Sequence, residues 1–148
     1  MIAEIILVIF VSYTLGSIPS GIIFAKIFRL KDIRTIGSGN TGTTNVLRTG
    51  NYTAAALTLG LDFGKACLAI YLCQLINDQF ILISSLAILI GHIFPIWLKF
   101  RGGKGFACYL GIMLMINLYL FIFVSLIWLI VFFSKRVSSL SALLSCLS

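Results

Sequence analysis

Four long apolar stretches separated by short polar segments dominate the chain. The first runs from Ile2 to about Phe28 and is interrupted by Gly16-Ser17-Ile18-Pro19-Ser20-Gly21. The second runs from Tyr52 to Ile76 with Asp62 and Lys65 inside it, and the third from Phe80 to Leu98. About 20 mostly apolar residues suffice to cross roughly 30 Å of hydrocarbon as a helix, so each is expected to span a membrane. A Gly/Ser/Pro break is tolerated in lipid only where neighbouring helices or water satisfy the freed backbone groups. The fourth stretch, Phe106 to Phe133, is long for one span at about 42 Å. It is either one tilted span or two shorter pieces meeting near Asn117. Val137 to Ser148 begins another apolar segment that is too short to cross. That tail is expected either to lie re-entrant against the other helices or to be cut short, and the second reading is preferred.

Composition supports this pattern. The 148 residues are 60% hydrophobic and 10% charged, with a mean hydropathy of +1.13. A soluble domain carries about a quarter charged residues, so a soluble enzyme is excluded, and disorder is excluded by the apolar content. The expectation is an all-α, polytopic membrane bundle of about 4–5 transmembrane segments, residues 1–148 forming a single domain. The N-terminus is not a cleavable signal, since Glu4 stands where a positive region belongs. Cys67, Cys73, Cys108 and Cys146 form no CxxC pair and read as small hydrophobes rather than disulfides or metal ligands.

Charge sets the orientation. Eleven Lys+Arg stand against four Asp+Glu, a net charge of +7. Arg29, Lys31, Arg34 and Arg48 place the first loop in the cytoplasm, and Lys99, Arg101 and Lys104 place the loop before Phe106 there too. Asn77-Asp78-Gln79 becomes an external turn, and the N-terminus lies outside. Lys135 and Arg136 fall on the wrong side if the fourth stretch is a single span.

Both cytoplasmic loops combine glycines with cations. The first reads Gly37-Ser38-Gly39-Asn40-Thr41-Gly42-Thr43-Thr44-Asn45-Val46-Leu47-Arg48. Its glycines let backbone N–H groups converge on an anion, its hydroxyls and amides add donors, and Arg48 offers a planar fork for phosphate oxygens. It nearly spells a Walker A loop, but Thr43 replaces the lysine and no strand precedes it. The second reads Phe100-Arg101-Gly102-Gly103-Lys104-Gly105, following Gly91-His92-Ile93-Phe94-Pro95. Two such loops on one face suggest a site for more than one phosphate, with Pro95 and Gly91 tipping His92 toward it. A polar flexible connector is the plain alternative for the first loop, and a structural histidine for His92. Asp62 and Lys65 share a helix face and read as a structural ion pair inside the membrane. Gly60 and Gly64 beside them are expected to bring helices close together. Ser138, Ser139 and Ser141 read as the polar start of the last helix. With four acids and one histidine, neither a Mg²⁺ phosphotransfer site nor a zinc site is expected, and no cofactor is implied.

Taken together and in order, Gly16–Gly21, Asp32-Ile33-Arg34, Gly37–Arg48, Leu61-Asp62 with Lys65, and Gly91-His92 through Gly105 resemble the bacterial acyl-phosphate:glycerol-3-phosphate acyltransferases, the PlsY type. The resemblance covers essentially the whole chain. It implies an all-helical inner-membrane enzyme of phospholipid biosynthesis that makes lysophosphatidate from acyl phosphate and glycerol 3-phosphate. It also implies a possible handover from a soluble acyl-phosphate-forming enzyme, and no nucleic acid. By resemblance, Ser38, Asn40, Thr44, Asn45, Arg48 and Lys104 line the phosphate site, with Gly37, Gly39, Gly42, Gly102, Gly103 and Gly105 shaping its loops and His92 as a candidate catalytic residue. Members of that family continue into a further helix and a third motif with a His and a Glu, which this sequence lacks. A truncated and inactive relative is therefore one expectation.

Phosphate is a good leaving group, so the reaction needs mainly positioning and charge stabilisation, and no activated nucleophile points to an acyl-enzyme. The base is His92, the family's C-terminal His or the donor's own phosphate oxygen. The competing reading is a transporter for an anionic phosphorylated metabolite, built on the broken first helix and the buried Asp62/Lys65 pair; a purely structural subunit leaves the two loops unexplained.

Overall fold

The computed structural model describes residues 1–147, all of them helical or in loops and turns. The first apolar stretch is two helices, α1 (Ile2–Gly16) and α2 (Ser20–Ile27), separated where Pro19 cannot donate to a continuing helix. The first loop carries a short helix α3 (Thr43–Leu47), after which Asn51 caps α4 (Tyr52–Ile76) by accepting the Ala54 N–H at 2.8 Å. Helix α5 (Ile81–Ile93) follows the Asn77-Asp78-Gln79 turn. After the second loop come α6 (Phe106–Ile116), α7 (Leu118–Lys135) and α8 (Ser138–Leu147). Four helical stretches are long and apolar enough to cross a membrane: Ile2–Ile27, Tyr52–Ile76, Asp78–Leu98 and Leu118–Lys135.

Helix α4 is the hub, packing on α1, α2, α3, α5 and α6. Ala66, Ala69 and Ile70 of α4 meet Ile88 of α5 and Cys108 and Ile112 of α6 in the largest buried apolar cluster. Large apolar side chains such as Phe10, Leu75, Leu82 and Phe133 face outward, as they must where the solvent is hydrocarbon.

The closest helix approach is not where the sequence suggested. Gly60 and Gly64 have open space at the position of an added Cβ, so they hold no helices together. Gly16 and Gly91 do: a Cβ on Gly91 would run into the Tyr13 carbonyl and lie 3.1 Å from the Gly16 Cα. Small residues at this crossing let the α1 and α5 backbones touch, and the buried hydroxyls of Ser12 and Ser84 bond across it at 2.8 Å.

The fourth apolar stretch is two pieces. Asn117 has extended backbone (φ −158°, ψ 118°), and its Oδ1 caps α7 by accepting from the N–H groups of Tyr119 (2.8 Å) and Leu120 (3.3 Å). Phe106 and Trp128, equally far from Asn117 along the chain, stack with ring centroids 5.9 Å apart, so α6 and α7 form an antiparallel hairpin. The hairpin returns Lys135 and Arg136 to the end of the bundle that holds the glycine loops, which removes the conflict that a single span created. Arg136 turns the chain in the left-handed region (φ 53°), and α8 folds back along α7 with Ser141 and Ser145 buried. Ser148 lies outside the described residues.

Candidate active site

The two glycine loops are built by local hydrogen bonds. In the first, Asp32 caps a 3-10 turn at Ile33–Thr35, and its carboxylate pairs with Arg34 at 2.7 Å. The Arg34 guanidinium and backbone N–H hold the Asp32 carboxyl down at about 2, and the same pairing raises Arg34. Asn45, 2% exposed, donates its amide to the carbonyls of Ile33 (2.5 Å) and Asn40 (2.9 Å). Its oxygen accepts from the Ser38 N–H (3.2 Å) and Arg48 Nη1 (3.4 Å). Asn45 therefore binds the loop to itself, and its amide is committed before any ligand arrives. Gly37 (φ +53°) leaves the Arg48 guanidinium its place, since a Cβ would push that group aside and sit 2.8 Å from Asn45 Oδ1.

The second loop is templated on the end of α5. The Gly102 N–H donates to the Ile93 carbonyl (3.0 Å) and the Gly103 N–H to the His92 carbonyl (3.1 Å). Lys99 and Phe100 (φ 51° and 63°) turn the chain back to reach these partners, and Gly105 (φ +81°) starts α6. Gly91 serves the α1 crossing rather than the loop. Pro95 lies just beyond the α5 terminus, next to the turn that leads into the loop.

Both loops open on one cavity of about 560 Å³. All six residues expected to meet phosphate line it: Ser38, Asn40, Thr44, Asn45, Arg48 and Lys104. Gly42 and Gly105 also line it, and His92 and Asp62 reach it from the bundle side. Lys65 does not line it. One wall is apolar, made by Leu59, Phe106, Trp128, Phe132 and Ala142, with Trp128 and Phe132 stacked at 4.9 Å.

Arg136, Ser138 and Ser139 also line the cavity, which sequence reasoning missed. The Thr44 and Ser138 hydroxyls meet at 3.0 Å, joining the first loop to the start of α8. Arg-Val-Ser-Ser directly after an apolar run was the available signal, but only the hairpin at Asn117 tells which end of the bundle it occupies.

Behind the cavity lies a buried polar knot. The Asp62–Lys65 pair is present at 2.7 Å, with side chains 3% or less exposed, and it is larger than the sequence suggested. Ser20 donates to Asp62 Oδ1 at 2.6 Å, Lys65 Nζ donates to the Ile18 carbonyl at 2.8 Å, and His92 Nδ1 lies 3.1 Å from Lys65 Nζ. Lys65 thus satisfies a carbonyl freed by the break in the first span, as burial in lipid demands. Asp62, His92 and Cys108 place possible metal ligands within 4.8 Å of one another, but the Lys65 ammonium already fills the place a cation would take among Asp62 and His92.

Fold and cavity together define a polytopic helical membrane protein with a cationic, hydroxyl-rich pocket at one end and an apolar wall beside it. A model of the family described as glycerol-3-phosphate acyltransferase matches residues 6–148. A glycerol-3-phosphate acyltransferase of Pelagibacter ubique is 49% identical, the match covering 97% of this chain and 75% of the relative. One from Bartonella henselae is 46% identical over 94% of this chain and 68% of its own. The crystal structure of PlsY, an integral membrane glycerol 3-phosphate acyltransferase, superposes in its glycerol 3-phosphate form with a TM-score of 0.87 at 32% identity. That match covers 95% of this chain and 72% of that one. The lysophosphatidic acid form gives 0.84 at 31% identity. The chain belongs to the glycerol-3-phosphate acyltransferase family.

Proposed function

We propose that this protein transfers a fatty acyl group from acyl phosphate to the sn-1 hydroxyl of glycerol 3-phosphate, giving lysophosphatidate and phosphate. The observation that carries the reading is the convergence of Arg48, Lys104 and Arg136, from three separate segments, on one cavity with an apolar wall. Two substrates bring two phosphates, and three cations with the hydroxyls of Ser38, Thr44, Ser138 and Ser139 supply donors for both. Leu59, Phe106, Trp128 and Phe132 suit the alkyl chain of the donor. The glycerol hydroxyl attacks the mixed-anhydride carbonyl, the C–O bond to phosphate breaks, and phosphate leaves with the electron pair and takes up the hydroxyl proton on one of its own oxygens. Arg48 and Lys104 act by holding the reactants together and offsetting negative charge as it develops.

The basic residues support a cytoplasmic cavity in the inner membrane, with the N-terminus outside. That placement lets a soluble acyl-phosphate-forming enzyme hand over the donor. The transporter reading is weaker, because the cationic groups gather at one end of the bundle and the buried Asp62–Lys65 pair is engaged in holding the helix break.

The test is transfer from palmitoyl phosphate to labelled glycerol 3-phosphate in vesicles containing the protein. Lipid-soluble product is expected. Arg48→Ala and Lys104→Ala each remove a charge-assisted contact of about 1.5–3 kcal/mol and should lower transfer roughly ten- to hundredfold. Label taken up into the vesicle lumen without lipid product would instead establish transport.

A further inference from the structure

The sequence contains one histidine, and its two ring nitrogens face different surroundings. An ammonium has three N–H bonds and no lone pair. Around Lys65 Nζ stand three acceptors: Asp62 Oδ1 at 2.7 Å, the Ile18 carbonyl at 2.8 Å and His92 Nδ1 at 3.1 Å. Nδ1 therefore meets Lys65 with its lone pair. The opposite arrangement, a protonated Nδ1 donating to Asp62, has a longer path of 3.4 Å. It ends on an oxygen already taken by Ser20 and Lys65, and it points a Lys65 N–H at another N–H. With Nδ1 accepting, the imidazole proton sits on Nε2.

Nε2 lies over the second glycine loop. A Cβ on Gly103 would collide with it and come within 3.0 Å of Cε1 and 3.2 Å of Cδ2, so only glycine lets the ring lie there. The His92 side chain is 7% exposed and lines the cavity, yet among the described residues Nε2 has no hydrogen-bond partner. The titratable groups facing the ring are Asp62 and Lys65 on α4 and Cys108 on α6, with Lys104 adjoining Gly103. Nε2 is thus an unpaired donor open to the cavity, within which a ligand oxygen can accept from it.

We propose that His92 is held as the Nε2–H tautomer by Lys65 and donates a hydrogen bond to a phosphoryl or carbonyl oxygen of bound substrate, rather than acting as the base. Asp62 and Lys65 are then positioning residues that set the tautomer. The donor role rests on the acyl-transfer reading; the tautomer does not. Because the ring acts here as a donor, an amide N–H in its place keeps part of the interaction.

The experiment is nitrogen NMR of the protein in nanodiscs with ¹⁵N-labelled histidine. Two distinct ring nitrogens at neutral pH, with the proton on Nε2, are expected. A proton on Nδ1, or two equivalent protonated nitrogens, overturns the assignment. Lys65→Met should give mixed tautomers, and an unchanged spectrum would refute the role of Lys65. Glycerol 3-phosphate, and inorganic phosphate separately, should move the Nε2–H resonance. Binding seen by calorimetry with no movement of that resonance eliminates the donor role, whereas no binding at all strikes at the acyl-transfer reading. In the transfer assay His92→Gln, which keeps an N–H near Nε2, should stay within about tenfold of the parent protein. His92→Phe should fall by roughly a hundredfold. Equal losses in the two variants would contradict the donor role.

Discussion

Asn45 holds the first glycine loop together through both ends of one amide. Its nitrogen serves two carbonyls and its oxygen serves Ser38 and Arg48, so the phosphate-facing groups are arranged before a ligand binds. Asn45→Leu keeps the volume but leaves the Asn40 carbonyl unpaired and the Ile33 carbonyl with only the long bond from the Ile36 N–H (3.4 Å). About 1–3 kcal/mol of stability should be lost, read by thermal unfolding in detergent, together with weaker glycerol 3-phosphate binding. Stability and binding equal to the parent protein would show that the clasp is unnecessary. Sequence reading placed Asn45 in the site but could not tell a clasp from a ligand, because both roles call for the same amide. The difference lies in Ile33 and Asn40, whose carbonyls meet it only once the loop has closed.

Between elements, most boundaries were legible and most pairings were not. Apolar length marked α4 at Tyr52–Ile76, Pro19 marked the first break, and Asn117 marked one of two alternatives for the last long stretch. Helix-to-helix partners were another matter. Gly60 and Gly64 have the small-residue spacing of a close crossing, but that spacing does not say which face meets a neighbour; Gly16 and Gly91, lying on different helices, make the contact. Gly91→Ala places a methyl against α1 backbone that cannot move aside and should cost about 1–3 kcal/mol or more. Gly60→Ala enters open space and should change stability by less than about 1 kcal/mol. Unfolding in detergent compares the two, and the reverse order would mean that the α1–α5 crossing is misplaced. The role of Lys65 was half visible in the same way. Its partner Asp62 is one turn away on the same helix, while Ile18 and His92 come from other segments.

For the whole molecule, chain direction decides what the site contains. Two crossings, α4 and α5, separate Arg48 from Lys104 and so return the chain to the same end of the bundle, and the α6–α7 hairpin adds Arg136. The loop motifs made the first two predictable from charge alone, whereas Arg136 depended on whether the last stretch crosses or turns back. The buried knot of Asp62, Lys65 and His92 ties the broken first span to the second glycine loop, so the scaffold and the cavity floor share residues.

The most direct measurement is equilibrium binding of glycerol 3-phosphate to the protein, to Arg48→Ala, to Lys104→Ala and to the double variant, with glycerol as the uncharged control. If both cations hold phosphoryl oxygens in one cavity, each single change should weaken binding at least tenfold, and glycerol should not compete. Parent-like affinity in both single variants, or glycerol binding as tightly as its phosphate, would contradict the account.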